Sequence, residues 1–137
     1  MSSTIGKVLE KVVYKRLVSF LNSTEILSES QFGFRKSNFI EDAVYLLTKE
    51  IQDARESKLE VYGLFLDLTK AFDLVNHQLL LDKLHKYGIR GLAHKWFKSY
   101  LEDREQYVEL TNNRSNTREV DCGVPQGSIL GPILFLL

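Results

Sequence analysis

The chain has 137 residues, with 18 lysines and arginines against 18 aspartates and glutamates, so its formal net charge is zero and any surface for nucleic acid has to be local. Its apolar content of 44% with two prolines excludes a disordered chain, and its length suits one domain or a piece of a larger one. The lone Cys122 excludes a disulfide framework and multi-cysteine metal sites; no apolar run approaches the ~18 to 20 residues of a membrane span, and the N-terminus lacks the apolar stretch of a secretory signal.

Ser3 or Thr4 can cap a first helix running to about Leu21. Ile5, Val8, Leu9, Val12, Val13, Leu17 and Phe20 recur at three and four and predict one buried face, with Lys7, Lys11, Lys15 and Arg16 on the rest. After a polar connection, Gln31-Phe-Gly-Phe-Arg-Lys36 reads as a short aromatic piece hinged on Gly33. A second helix is expected over Ile40 to Ser57, with Ala43, Val44, Leu46, Leu47, Ile51 and Ala54 inward. Val61 to Asp67 reads as a strand buried on both faces, because its apolar residues barely alternate. Helical structure is predicted from Thr69 to Val75 and again from Asn76, a plausible cap, to Tyr87, with Gly88 in the left-handed position beyond.

Gly91 to Leu101 predicts a further helix, with Leu92, Trp96, Phe97, Tyr100 and Leu101 apolar. Gln106 to Leu110 and Thr117 to Cys122 read as strands of a hairpin joined through Asn112-Asn113. Gly123-Val-Pro-Gln-Gly127 is a loop that opens a helix from Ser128 to Leu137. That last stretch is almost wholly apolar, which reads either as a helix docked on the core or as a fold cut in its middle. On the second reading Ile129, Ile133, Leu134 and Leu137 are left uncovered, and the isolated chain is molten or aggregating. The elements together make an α+β chain without internal repeats.

Asp67 ends an apolar strand, where an ionised carboxylate is costly unless it is paired, capping or bound to metal. It is either the cap of the helix that follows or an oxygen ligand for a hard cation such as Mg²⁺. Asp73 lies six residues on and reads as a structural or surface acid; Phe72 by itself reads as core. The Gly123 to Gly127 loop places backbone amides and the Gln126 carboxamide ahead of a helix, which suits a phosphate or is simply a turn. Lys83, Lys86, Arg90, Lys95 and Lys98 occupy a segment without an acid and with Trp96, which suits a nucleic-acid backbone or is a solvated helical face. The three histidines, His77, His85 and His94, show no metal-ligand spacing and are assigned no chemistry.

Three motifs in order, Gln31-Phe-Gly-Phe-Arg-Lys36, Phe65-Leu-Asp-Leu-Thr-Lys-Ala-Phe-Asp73 and the run from Gly123 to Leu137, together resemble a reverse transcriptase of the non-long-terminal-repeat (LINE-type, jockey-like) retrotransposons. Trp96-Phe-Lys-Ser-Tyr-Leu101 and Arg104-Glu-Gln-Tyr-Val108 extend the likeness over essentially the whole chain. The resemblance implies part of a right-hand polymerase fold, about 1–60 on the fingers side and 61–137 in the palm, ending before the catalytic Ala-Asp-Asp hairpin. It implies Asp67 as the first palm carboxylate for two Mg²⁺ ions, with the Leu68 carbonyl as a further ligand. Phe72 becomes the aromatic gate beneath the incoming sugar. Gln126 and Gly127 line the nucleotide and template pocket, and Arg35 is a fingers residue near the triphosphate or template. The implied partners are an RNA template, a DNA primer and a dNTP, without a membrane, in an intracellular protein that acts in the nucleus during target-primed retrotransposition. Ser37-Asn-Phe-Ile40 departs from the family's usual Gly-Arg-Ser-Thr-like run, and Leu74 and Asn76 replace a commoner threonine and aspartate. The other readings are a non-catalytic relic or nucleic-acid-binding module, and a generic α+β interaction domain with coincidental motifs.

Overall fold

The structure, a computed structural model, describes residues 4–35, 38–111, 113–125 and 127–137. It divides into two units, one of Met1–Ile26 with Lys70–Leu137 and one of Leu27–Thr69. Every buried apolar side chain among the described residues lies in the first unit.

The first unit begins with α1, Thr4–Ser23. Its buried residues are Glu10, Leu17 and Leu21, so burial concentrates in the C-terminal half. Ile5, Val8, Leu9 and Val12, expected inside, are exposed. Periodicity reports that a face is apolar, and burial needs a partner for that face, which no described element supplies here.

From Lys70 to Leu74 the chain turns without forming the expected helix. Lys70 sits at φ +52, outside the helical region, and its carbonyl closes a tight turn by accepting from Asp73 and Leu74. Asn76 then caps α3, His77–Lys86, its side chain accepting from the Leu79 amide at 2.9 Å. Such a cap contributes about 1 kcal/mol. Leu80, Leu81 and Leu84 form the buried face of α3, each contributing roughly 1.5–3 kcal/mol of transfer free energy. The helix ends as expected: Gly88 takes φ +97, and Ile89 donates back to the Leu84 carbonyl.

Next, α4, Gly91–Leu101, packs on α3 through Phe97 and Leu101, while Leu92 faces solvent. An apolar groove of about 580 Å³, lined by Val13, Leu17, Phe20, Ile89, Ala93 and Trp96 among others, lies between α1 and α4.

A hairpin is present, broken into two short ladders, with Asn113 in a strand instead of the connection and only Arg118–Glu119 of the expected Thr117 to Cys122 strand formed; Asn112 lies outside the described residues. Strand β1, Glu105–Gln106, pairs antiparallel with β4, Arg118–Glu119, and β2, Glu109–Leu110, with β3, Asn113–Arg114. The Ser115 hydroxyl accepts from the Val108 amide between the ladders, and the Arg114 guanidinium lies 3.4 Å from the Tyr107 ring centre. The final helix, α5, Gly131–Leu136, starts later than expected, with Pro132 in its first turn. Ile133, Leu134 and Leu137 are buried and Ile129 is half-buried, which corrects the expectation that these four are left uncovered. Within this unit the stretch finds a core to dock on.

The second unit holds α2, Ile40–Glu56, capped at its start by Asp42, whose carboxylate accepts from the Phe39 amide. None of its residues is buried, so the expected inward face of Val44, Leu46, Leu47 and Ile51 is an exposed apolar stripe. The turn before it places Phe34, not Gly33, at positive φ. Leu59 to Leu68 contains no strand, and Leu64, Phe65 and Leu66 are more than four-fifths exposed. An extended run becomes a strand only when a neighbour takes its backbone hydrogen bonds, and no described segment pairs with it. No helix among the described residues is long and apolar enough to cross a membrane.

Candidate functional site

Two sequence motifs far apart in the chain meet in the first unit. The Val124 amide donates to the Phe72 carbonyl at 2.9 Å, and the Gly123 amide donates to the Val75 carbonyl at 2.7 Å. Asn76 and Cys122 form an antiparallel bridge beside them. Phe72 is half-buried, and its ring stands 4.7 Å from that of Phe135 on α5, tilted by 36°. Core packing and loop contact are thus combined at Phe72, rather than core packing alone.

Glycine is required where the strands of chain cross. Gly123 has φ +86, and a Cβ there would lie 2.8 Å from the Asp73 carbonyl oxygen. Gly127 also has positive φ, +73, but a Cβ there would meet nothing within 4 Å. Gly123→Ala is therefore expected to destabilise the fold by about 3 kcal/mol, from strain plus collision, and Gly127→Ala by about 1 kcal/mol, from strain alone. Urea denaturation followed by circular dichroism checks the pair, and equal losses would contradict the crossing geometry. Gln126 lies outside the described residues.

Two residues assigned no role in the sequence hold this loop. His77 is buried, and its Nε2 donates to the Gly123 carbonyl at 2.7 Å. Glu10 is buried on α1 and accepts from the Ile129 amide at 2.8 Å through Oε2. A buried carboxylate is costly without such a donor. Its position was legible after the fact, since Glu10 stands three residues before Val13 and seven before Leu17, on the buried stripe. The Tyr100 hydroxyl is buried beside Glu10 and Ser128 without the geometry of a hydrogen bond to either. Burial is the main cause that raises its pKa. The pKa of the exposed Cys122 thiol is raised too, by desolvation first and then by the neighbouring Asp121 and Asp73.

Asp67, Leu68 and Arg35 belong to the second unit. Asp67 is exposed, and its Oδ1 accepts from the Leu68 amide at 2.9 Å. That exposure corrects the premise of a carboxylate forced into a buried strand: in water the charge carries no desolvation cost. Its oxygens and the Leu68 carbonyl are the donor type that Mg²⁺ takes. Among the described residues, however, no group of three or more His, Cys, Asp or Glu side chains is assembled to hold a metal. One carboxylate with one carbonyl does not make a two-ion site. Arg35 is half-buried and donates through Nη1 to the Ser28 carbonyl at 2.8 Å, which orients its guanidinium.

The basic segment divides. Lys83 donates to the Leu137 carbonyl at 2.7 Å, and Lys98 lies 3.7 Å from the Glu102 carboxylate. Lys86, Arg90 and Lys95 are exposed and make no ion pair among the described residues. Trp96 stacks on Tyr100 with 5.2 Å between ring centres. A polar cleft of about 450 Å³ beside Asn76 carries Glu102, Asp103, Glu105, Glu119 and Asp121, a sign of charge that repels a phosphate chain. Among the described residues, neither this cleft nor the apolar groove is lined by Phe72, Gly123, Val124, Pro125 or Gly127.

The family described as reverse transcriptase (RNA-dependent DNA polymerase) matches residues 1–137. The probable RNA-directed DNA polymerase from transposon BS of Drosophila melanogaster is 37% identical over 139 residues, covering 97% of this chain and 15% of that protein. That from transposon X-element of the same organism is 37% identical over 134 residues, covering 98% of this chain and 15% of that protein. The RNA-directed DNA polymerase from mobile element jockey of Drosophila melanogaster is 33% identical over 132 residues, covering 96% and 14%. The chain thus spans about 15% of the length of the relatives it matches. No solved structure matches it. With a match over its whole length and motifs that converge on one loop, the chain belongs to the reverse transcriptase family and is similar to the polymerases of jockey-like non-long-terminal-repeat retrotransposons.

Proposed function

We propose that this chain is the fingers and palm portion, about 1–60 and 61–137, of a right-hand polymerase that adds dNTPs to a primer 3′-end on an RNA template. The observation that carries the reading is the direct backbone bond between Val124 and Phe72, which joins the two motifs assigned to the nucleotide pocket. On this reading the Phe72 ring, backed by Phe135, lies beneath the incoming sugar, and Gln126 and Gly127 line the pocket beside it. Arg35 approaches the triphosphate or template. Asp67, with the Leu68 carbonyl, contributes one carboxylate toward Mg²⁺, and the remaining carboxylates come from parts of the full-length protein outside this chain. When bound, Mg²⁺ supplies activation of the primer 3′-hydroxyl and neutralises charge on the transferred phosphate. The site of action inferred for target-primed copying is the nucleus.

RNA-templated primer extension by the full-length protein that contains this segment tests the reading. Products whose sequence copies the RNA are expected, and their absence from a folded, template-bound protein would contradict it.

The basic segment is proposed to track a nucleic-acid backbone through Lys86, Arg90 and Lys95, with Lys83 and Lys98 contributing less because each is already engaged. Three phosphate contacts on a single strand give a log–log salt slope of about −2, so affinity for single-stranded RNA should fall roughly tenfold to twentyfold between 50 and 200 mM salt. Replacing the three with glutamine should flatten that slope; an unchanged slope would return them to a solvated helical face.

A further inference from the structure

We propose that His77 is a positioning residue of the nucleotide pocket, clamping the Gly123–Val124 peptide so that the loop keeps its register with Phe72. The inference rests on the polymerase reading above and adds a residue to it. Its basis is a single peptide unit held at both ends. The Val124 N–H donates to the Phe72 carbonyl at 2.9 Å, and the Gly123 carbonyl of the same peptide accepts from His77 Nε2 at 2.7 Å. A carbonyl only accepts, so Nε2 carries the proton.

The clamp is needed because of what Gly123 is. Without a Cβ it rotates cheaply about its backbone bonds, so sterics alone do not fix the orientation of the peptide that follows. The same residue has no alternative, since a Cβ would strike the Asp73 backbone. A residue that must be glycine therefore leaves the orientation of this peptide to its hydrogen bonds, to Phe72 at its N–H and to the imidazole at its carbonyl. His77 is 6% exposed and Gly123 half-buried, so the hydrogen bond is partly shielded from water and its loss leaves the Gly123 carbonyl without this partner.

The role is separable from folding of α3. That helix is capped by Asn76 and anchored by Leu80, Leu81 and Leu84, none of which depends on the imidazole. Loss of the donor is expected to free the peptide while the helix stays in place.

The test compares His77→Phe, which keeps a ring and removes the donor, with His77→Gln, whose side-chain amide keeps a donor at similar reach. In the full-length polymerase His77→Phe should raise the KM for dNTP about tenfold with little change in kcat, and lower dNTP-over-rNTP selectivity by a similar factor, on the scale of a displaced positioning group. His77→Gln should restore both to within about threefold. Hydrogen exchange at the Val124 amide should accelerate in His77→Phe and not in His77→Gln. Unchanged KM, selectivity and Val124 exchange in His77→Phe would overturn the clamp, as would a glutamine variant no better than phenylalanine. A wild-type polymerase that does not copy RNA would overturn the polymerase reading instead, and Val124 exchange would then still decide whether the clamp exists.

Discussion

Asp67→Asn is expected to lower RNA-templated primer extension by about 10³-fold or more in the full-length polymerase, the scale of losing a principal electrostatic stabiliser. The substitution isolates charge from shape. Asparagine keeps an oxygen where Asp67 Oδ1 accepts from the Leu68 amide, so the local turn survives while the negative charge is removed. Asp67 is exposed, so no folding defect is expected to confuse the result. Asp73→Asn is the control. Asp73 contributes its backbone to the crossing with Gly123 and its side chain is exposed, so that variant should lose less than about tenfold, as surface substitutions do. Near-wild-type activity of Asp67→Asn with Mg²⁺, or equal losses in the two variants, would remove Asp67 from the metal.

Phe72→Val is expected to admit ribonucleotides, lowering the dNTP-over-rNTP ratio of kcat/KM by roughly 10- to 100-fold, the range that one steric group in a pocket commands. The backbone of residue 72 is held by Val124 whatever its side chain, so the change acts on the ring alone. The ring's contact with Phe135 supplies a second variant. Phe135→Leu removes the support 4.7 Å away and should relax sugar selection in the same direction by less. An unchanged ratio in Phe72→Val would leave the ring as core packing and nothing more.

Local signals in the sequence were sufficient where the determinant is itself local. Asn76 as a cap, Gly88 in the left-handed region and a helix from Gly91 to Leu101 all stand where residue type and spacing put them. The hairpin from Glu105 to Glu119 was legible as two antiparallel runs, though Asn113, read as part of its connection, pairs with Leu110. Val61 to Asp67 differ from the strand that their composition predicts because strand character resides in a partner's hydrogen bonds, which composition does not contain. Likewise the apolar stripe of α2 has the right period, yet period says nothing about what covers it. Lys70 at φ +52 ended the helix expected after Thr69, and a lysine gives no warning of that conformation. His77 and Glu10 carry no signal of their roles in the sequence for a related reason: each acts on a residue distant in the chain, Gly123 and Ile129, through a contact that only the fold creates. At the level of the candidate site, the motif from Phe65 to Asp73 and the loop from Gly123 were legible as separate segments, and their joining at Phe72 and Val124 needed the structure.

The most direct measurement of the central claim, that Phe72 and the 123–127 loop form one wall of a nucleotide pocket, is photocrosslinking of a photoreactive dNTP analogue to the full-length polymerase on a primed RNA template. Adducts are predicted in both the 70–77 and the 123–127 segments, dependent on the template base and displaced by the matching natural dNTP. Template-dependent adducts confined to other parts of the polymerase, with both segments unlabelled, would contradict the account.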